Sequence, residues 1–221
     1  QETLIGMDFT TPLAVTITSS FTEPVEGGRV VYTGPASGAG TDPTVYTGTV
    51  SGGVVTQTVT ANLTVGGPYT VTARSNGATP DIDFGLTNTC ANPATVTNSD
   101  DAGSGSLRWA VQVVCAGGTV DFDPALTAGG AATITLTSGE IAIDKNLTID
   151  GPGAANVAGS GDNASGLFKA SADVAHHGQP PHDGFAHAGG APTRTTPPTP
   201  PGRPGAASRS CRRICRRGRW R

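Results

Sequence analysis

From Pro12 to Asn88 the apolar positions recur with a period of two, the period of a strand that buries one face. Leu13, Val15 and Ile17 alternate with Ala14, Thr16 and Thr18, and Val55, Val59 and Ala61 share a parity. So do Tyr69, Val71 and Ala73, and Ile82, Phe84 and Leu86. Turn clusters separate these runs: Glu26-Gly27-Gly28, Gly34-Pro35, Gly38-Ala39-Gly40, Ser51-Gly52-Gly53, Gly66-Gly67-Pro68 and Asn76-Gly77. Glycine supplies positive φ in such turns and proline fixes its own. Short strands at turn spacings of roughly 8 to 12 residues predict an antiparallel sandwich.

Beyond Asn88 the pattern changes. Leu107, Ala110, Val111 and Val114 stand at i, i+3, i+4 and i+7, which predicts one short amphipathic helix that Ser104 or Ser106 can cap. Then come two-residue apolar pairs, Val120 with Phe122, Ile134 with Leu136, Ile141 with Ile143, and Leu147 with Ile149, divided by Gly, Asp, Asn or Ser. Each pair is too short to bury its own face. Stacked as successive coils, the pairs make one continuous apolar column.

Composition supports a β reading: the 221 residues include 32 Gly and 17 Pro, with 5% aromatic and 14% charged residues. The net charge of −3 conceals two unlike parts. Residues 1 to 168 carry Arg29, Arg74, Arg108 and Lys145 against fifteen acidic groups, a balance of −11, whereas residues 169 to 221 balance at +8. That tail holds all four histidines (His176, His177, His182, His187) and eight prolines. Such a shift marks a boundary near Lys169, and a Pro/Gly/Arg tail that cannot bury a core is expected to be disordered. Read one nucleotide downstream, the run from His176 becomes Thr/Leu-rich like the coils before it, so translation out of frame from about residue 170 accounts for its composition. The rival reading is a basic arm in which Arg209, Arg212, Arg213, Arg216, Arg217, Arg219, Arg221 and Trp220 contact nucleic acid or an anionic surface. The acidic first part opposes that.

Two stretches resemble known families. Thr11-Pro-Leu-Ala-Val-Thr-Ile-Thr, Glu23-Pro-Val-Glu-Gly-Gly-Arg-Val-Val-Tyr-Thr-Gly-Pro-Ala-Ser-Gly-Ala and Thr60-Ala-Asn-Leu-Thr-Val-Gly-Gly-Pro-Tyr-Thr-Val-Thr-Ala resemble a bacterial immunoglobulin-like repeat of the invasin and intimin kind, over about the first 88 residues. Thr95-Val-Thr-Asn-Ser-Asp-Asp-Ala-Gly-Ser-Gly-Ser-Leu-Arg, Thr119-Val-Asp-Phe-Asp-Pro and the run from Thr133 to Gly153 resemble the N-terminal cap and first coils of right-handed parallel β-helix, pectate-lyase-like surface proteins, over roughly residues 90 to 168. The resemblances imply an all-β chain with an immunoglobulin-like β-sandwich at 1–88, a truncated β-helix start with one capping helix at 89–168, and a tail at 169–221. They imply a non-catalytic structural or adhesive segment, extracellular or on the bacterial surface, with no cofactor and no metal. Expected partners are an extracellular glycan, a host or cell-surface protein, or neighbouring domains of a longer chain, with no specific nucleic acid. A polysaccharide lyase or hydrolase of the β-helix type is the alternative. The apolar runs are too short for a membrane-spanning helix, and Gln1 is not preceded by a visible signal peptide.

In an exported module Cys90 and Cys115, which bracket the predicted helix, are expected to form a disulfide; the competing reading is two buried thiols. Cys211 and Cys215 lie in an arginine run at a spacing that gives little support for zinc. Asp100, Asp101, Asp121, Asp123 and Asp150 could serve acid–base chemistry or bind calcium, but turn formation and strand-end solvation account for them more simply. Gly151-Pro-Gly153 lacks the Lys-Ser/Thr of a phosphate loop. Asn62, Asn146 and Asn163 begin glycosylation sequons of the kind a Thr-rich chain produces by chance. A solenoid with few coils exposes an apolar cross-section, so the second segment is expected to unfold more easily than the first.

Overall fold

The computed structural model describes residues 1–153, 155–161, 166–177 and 185–187, and these form a mostly β structure with one short α-helix. The first body contains β1 (Glu2–Leu4), β2 (Leu13–Thr16), β3 (Arg29–Thr33), β4 (Val45–Thr49), β5 (Val54–Gln57), β6 (Gly66–Ser75) and β7 (Ile82–Thr89). Five of these form a sheet in the order β1-β7-β6-β3-β4, and β2 pairs with β5. The two sheets share one core of Phe9, Leu13, Val15, Val30, Tyr32, Val55, Val59, Val71 and Leu86 among others. Tyr32 ties them together: its ring is fully buried, and its hydroxyl donates to the carbonyls of Leu13 (3.3 Å) and Val55 (3.5 Å) on the smaller sheet.

The period-two reading places most of the buried parities correctly, with three differences. β1 pairs with β7 in parallel, Thr3 opposite Asn88, while the other ladders of this body are antiparallel. Gly66-Gly67-Pro68, expected as a turn, instead opens β6 at a register shift between Gly66 and Tyr69. Gly67 sits at φ +141, and a Cβ there would lie 2.8 Å from the Thr87 Cα, so glycine permits the close approach to β7. Ile82, placed on the buried parity, is 39% exposed.

The second body begins with β8 (Ala94–Val96) and α1 (Leu107–Val113), followed by β9 (Thr119–Phe122), β10 (Ala132–Thr135), β11 (Ile141–Ile143), β12 (Leu147–Asp150), β13 (Val157–Ser160), β14 (Phe168–Ala170), β15 (Val174–His177) and β16 (Phe185–His187). These strands pair in parallel, in the orders β15-β12-β9-β8, β10-β13 and β11-β14-β16. Val120 stands opposite both Ala94 and Ile149, Leu147 opposite Val174, Ile134 opposite Gly159, and Ile141 opposite Phe168. The chain therefore returns beside itself every 25 to 29 residues, and successive returns bring apolar residues into register, Ile141 and Ile143 on Phe168 and Ala170 and Leu147 on Val174 among them. Val120, Ile134, Leu136, Ile141, Ile143, Leu147 and Ile149 are all at most 4% exposed and form one core with Val157, Phe168, Ala170 and Val174. The final step, Phe168 to Phe185, is shorter at 17 residues.

The boundary expected at Lys169 does not coincide with a break in the strands, because it falls inside β14 and pairing continues into β15 and β16. Phe168, Ala170 and Val174 still supply inward positions, at 5%, 2% and 6% exposure, although the composition around them has changed. His176 occupies the register position opposite Ile149. The rest of the basic tail, with Cys211, Cys215 and His182, lies outside the described residues.

α1 covers one end of the column with Leu107, Ala110, Val111 and Val113. Ser106, of the two candidate serines, is the N-cap: its hydroxyl accepts from the Trp109 N–H at 3.2 Å. Gly105 precedes it at φ +81, where a Cβ would collide with the Thr97 Oγ1.

Ile143→Ala, in the middle of the column, should destabilise the chain by roughly 2 to 5 kcal/mol through lost burial and a residual cavity. Val45→Thr, at a position 50% exposed on β4, should change stability by less than about 0.5 kcal/mol. Chemical denaturation of the two variants tests the contrast.

Candidate functional site

A cleft lies where the two bodies meet, and three local constructions shape it. The first is the end of α1. Cys90 and Cys115 form a disulfide, with their Cα atoms 5.0 Å apart. Beside it the Ala91 N–H donates to the Val113 carbonyl and the Cys115 N–H to the Ala91 carbonyl, both at 2.8 Å. The chain entering the second body is thus bound to the helix end twice over, by backbone and by cross-link. Closing a loop with a sequence separation of 25 contributes about 3 kcal/mol in the chain-entropy account.

The second construction is a clasp around Asp101. Its Oδ1 accepts from the Arg108 Nη2 at 2.7 Å. Its Oδ2 accepts from the backbone N–H and the hydroxyl of both Thr137 (3.1 and 3.0 Å) and Ser138 (2.7 and 2.6 Å). Arg108 also donates to the carbonyls of Asp101, Gly139 and Glu140. One carboxylate and one guanidinium therefore fasten the start of α1 to the turn between β10 and β11. The Ser138 hydroxyl and the Arg108 guanidinium hold the Asp101 carboxyl well below the usual carboxylate range.

The third is a buried amide. Asn88, 1% exposed on β7, donates from Nδ2 to the Gly40 carbonyl (2.8 Å), Asn62 Oδ1 (3.0 Å) and the Thr64 carbonyl (3.2 Å). It accepts from the Tyr69 hydroxyl at 2.7 Å. Burial pushes the Tyr69 pKa up to about 12, so the phenol keeps its proton for this bond through the neutral range. A fully satisfied buried network of this kind fixes geometry, and removing one member leaves the others unpaired in a dry site. What it fixes is the loop bearing Leu63 and Val65.

These constructions border a cleft of about 440 Å³. Ile5, Leu63 and Val65 line it from the first body, and Val111, Val114 and Ile141 from the second. Ile5 itself belongs to the core of the second body, so the N-terminal edge of the first is embedded in its neighbour. Leu63 and Val65 remain 59% and 51% exposed. The polar lining includes Lys145, whose Nζ donates to the Gln112 carbonyl at 2.6 Å. Burial lowers the Lys145 pKa, and the charge of Asp144 partly opposes this. The lining contains no serine, threonine, cysteine or histidine. The cleft can receive an apolar group beside the Lys145 ammonium, the Asp144 carboxylate and the Arg108 guanidinium, the last already paired with Asp101.

The acidic candidates are dispersed. Asp101 forms the clasp. Asp123 caps a 3₁₀ turn at Pro124–Thr127 through the Ala125 N–H at 2.7 Å. Asp121 lies half-buried on β9, its Oδ1 without a hydrogen-bond partner among the described residues. Asp100 and Asp150 are exposed. Among the described residues no group of three or more His, Cys, Asp or Glu could hold a metal ion. No described helix is long and apolar enough to cross a membrane. Of the sequon asparagines, Asn62 is committed to the Asn88 network and the Asn146 Oδ1 accepts from the Asp173 N–H at 3.0 Å, while Asn163 lies outside the described residues. Comparison with protein-family models, curated proteins and solved structures finds no match for the chain.

The clasp sets an acid dependence. The folded pKa of Asp101 lies below its unfolded value, so its contribution is present above about pH 4 and is lost as pH falls through the folded value. In Asp101→Asn the stability at neutral pH should drop and the fall below about pH 4 should flatten. Thermal melts of both proteins from neutral pH into this acid range test it; parallel acid limbs would remove Asp101 from the account.

Proposed function

We propose that the chain is a non-catalytic structural and adhesive segment of a secreted or cell-surface bacterial protein, combining an immunoglobulin-like β-sandwich with the cap and first coils of a right-handed parallel β-helix. The observation that carries the reading is the parallel pairing at offsets of 25 to 29 residues, with buried apolar residues from successive returns and from a short helix sharing one core. Such a repeat produces length, about 4.8 Å for each coil, and its capacity to grow lies along one axis. The hand follows from the strong preference of parallel crossovers for right-handed connection.

Two further features support it. A cross-link between Cys90 and Cys115 suits an oxidising compartment, where such bonds persist. The two bodies are joined by embedded side chains, Ile5 above all, as well as by the peptide, which suits a segment that transmits load or holds a binding surface at a set distance. Partners under this reading are extracellular glycans, surface proteins and neighbouring domains.

The intact chain should leave acidic and neutral polysaccharides uncut, with no new reducing ends and no absorbance from unsaturated uronate. Turnover of any of them would overturn the proposal and transfer the chain to the polysaccharide lyases or hydrolases.

A further inference from the structure

The first body carries a second groove, of about 320 Å³, separate in its lining from the cleft between the bodies. Val15 and Val30 contribute buried apolar surface to it, while Thr18, Ser19, Ser75 and Thr79 contribute hydroxyls. Arg74 is the one charged lining residue, and its Nε lies 2.7 Å from the Asp81 carboxylate. The groove therefore joins an apolar floor to a polyhydroxyl wall and presents no unpaired charge.

Immediately after the lining residue Ser20 stands Phe21, 82% exposed. A single exposed apolar residue is ordinary. The way this one is held is not. Thr18 and Pro24 form a bridge at the base of the loop, the Ser19 N–H donates to the Glu23 carbonyl at 2.7 Å, and the Thr22 N–H donates to the Ser19 carbonyl at 2.9 Å. The Ser19 Oγ accepts from the N–H groups of both Phe21 and Glu23 at 3.2 Å. Thr22 sits at φ 68, the only positive φ outside glycine among the described residues. A β-branched residue is strained in that region and persists there only when its surroundings over-determine it. The loop thus holds an unfavourable backbone, and it carries the exposed phenyl ring of Phe21 next in the chain to the groove-lining Ser20.

We propose that this end of the first body binds a neutral saccharide, with the Phe21 ring as a stacking platform and the adjoining hydroxyl groove as its hydrogen-bonding wall. The inference rests on the adhesive reading of the chain and gives its ligand a chemical class. A pyranose presents a face of C–H groups, which the electron-rich face of an aromatic ring attracts, and an edge of hydroxyls that both donate and accept. Serine and threonine match that edge because they too do both. An acidic polymer would find Arg74 already paired and would meet the −11 balance of residues 1 to 168.

Affinity electrophoresis of the intact chain through gels containing laminarin, mannan, xylan or dextran, with pectate as the acidic comparison, tests the site. At least one neutral polysaccharide should retard the protein saturably. Phe21→Ala should weaken that binding tenfold or more with an unchanged melting temperature, because the ring lies in solvent, and Phe21→Trp should retain it. The site is overturned if no neutral polysaccharide retards the chain, if Phe21→Ala binds as wild type, if pectate alone retards it, or if peptides bind the groove and sugars do not. Failure to bind sugar leaves the scaffold reading standing; cleavage of a gel polysaccharide sinks that reading while the Phe21 dependence of binding still judges this site.

Discussion

A pair of aliphatic side chains on a three- or four-residue strand cannot keep itself dry, and this constraint governs the second body. Ile141 and Ile143 are buried only because Phe168 and Ala170 lie over them, and Leu147 and Ile149 because Val120 and Val174 flank them. The energy is in the stacking, so a coil has little stability without its neighbours. From this follow the parallel register, the near-constant return length and the need for something apolar at the starting end. α1 fills that need with Leu107, Ala110 and Val111, and the Asp101–Arg108 clasp and the Cys90–Cys115 bridge keep it in place.

The first body obeys a different economy. Its two sheets enclose their own core, and its polar interior includes the Tyr32 hydroxyl and the Asn88 and Tyr69 network, where every donor of the amide finds an acceptor. That network orders the loop that faces the second body, and Ile5 crosses into the neighbouring core. The junction is therefore built from packed side chains as well as from the connecting peptide. The cleft at the junction is lined mainly by apolar side chains with Arg108, Asp144 and Lys145 among them, and the Phe21 loop sits on a different part of the first body.

Much of this was legible in the amino-acid order, for reasons that are local. Alternation at Leu13 and Val15, the stripe at Leu107, Ala110, Val111 and Val114, and the repeated pairs from Val120 to Ile149 are patterns over a few residues, and burial follows them. What escaped depends on distance or on context. The partners of Asp101 lie 36 and 37 residues away, and a lone aspartate in a turn looks the same with or without them. Asn88 carries no signal that separates a buried amide from an exposed one. β1 is only three residues long and pairs in parallel with a strand at the opposite end of the body. Past Phe168 the abrupt change in composition concealed the alternation of Phe168, Ala170 and Val174, so the strands run further than the boundary drawn from charge and proline.

The most direct measurement of the stacking is methyl–methyl nuclear Overhauser contact in the intact chain. The account predicts cross-peaks between Val120 and Ile149, between Leu147 and Val174, and between Ile143 and Ala170, residues far apart in sequence brought together in parallel register. Contacts that instead link Ile134 with Ile149 and Leu136 with Leu147, as in antiparallel hairpins, with none across the long offsets, would contradict it.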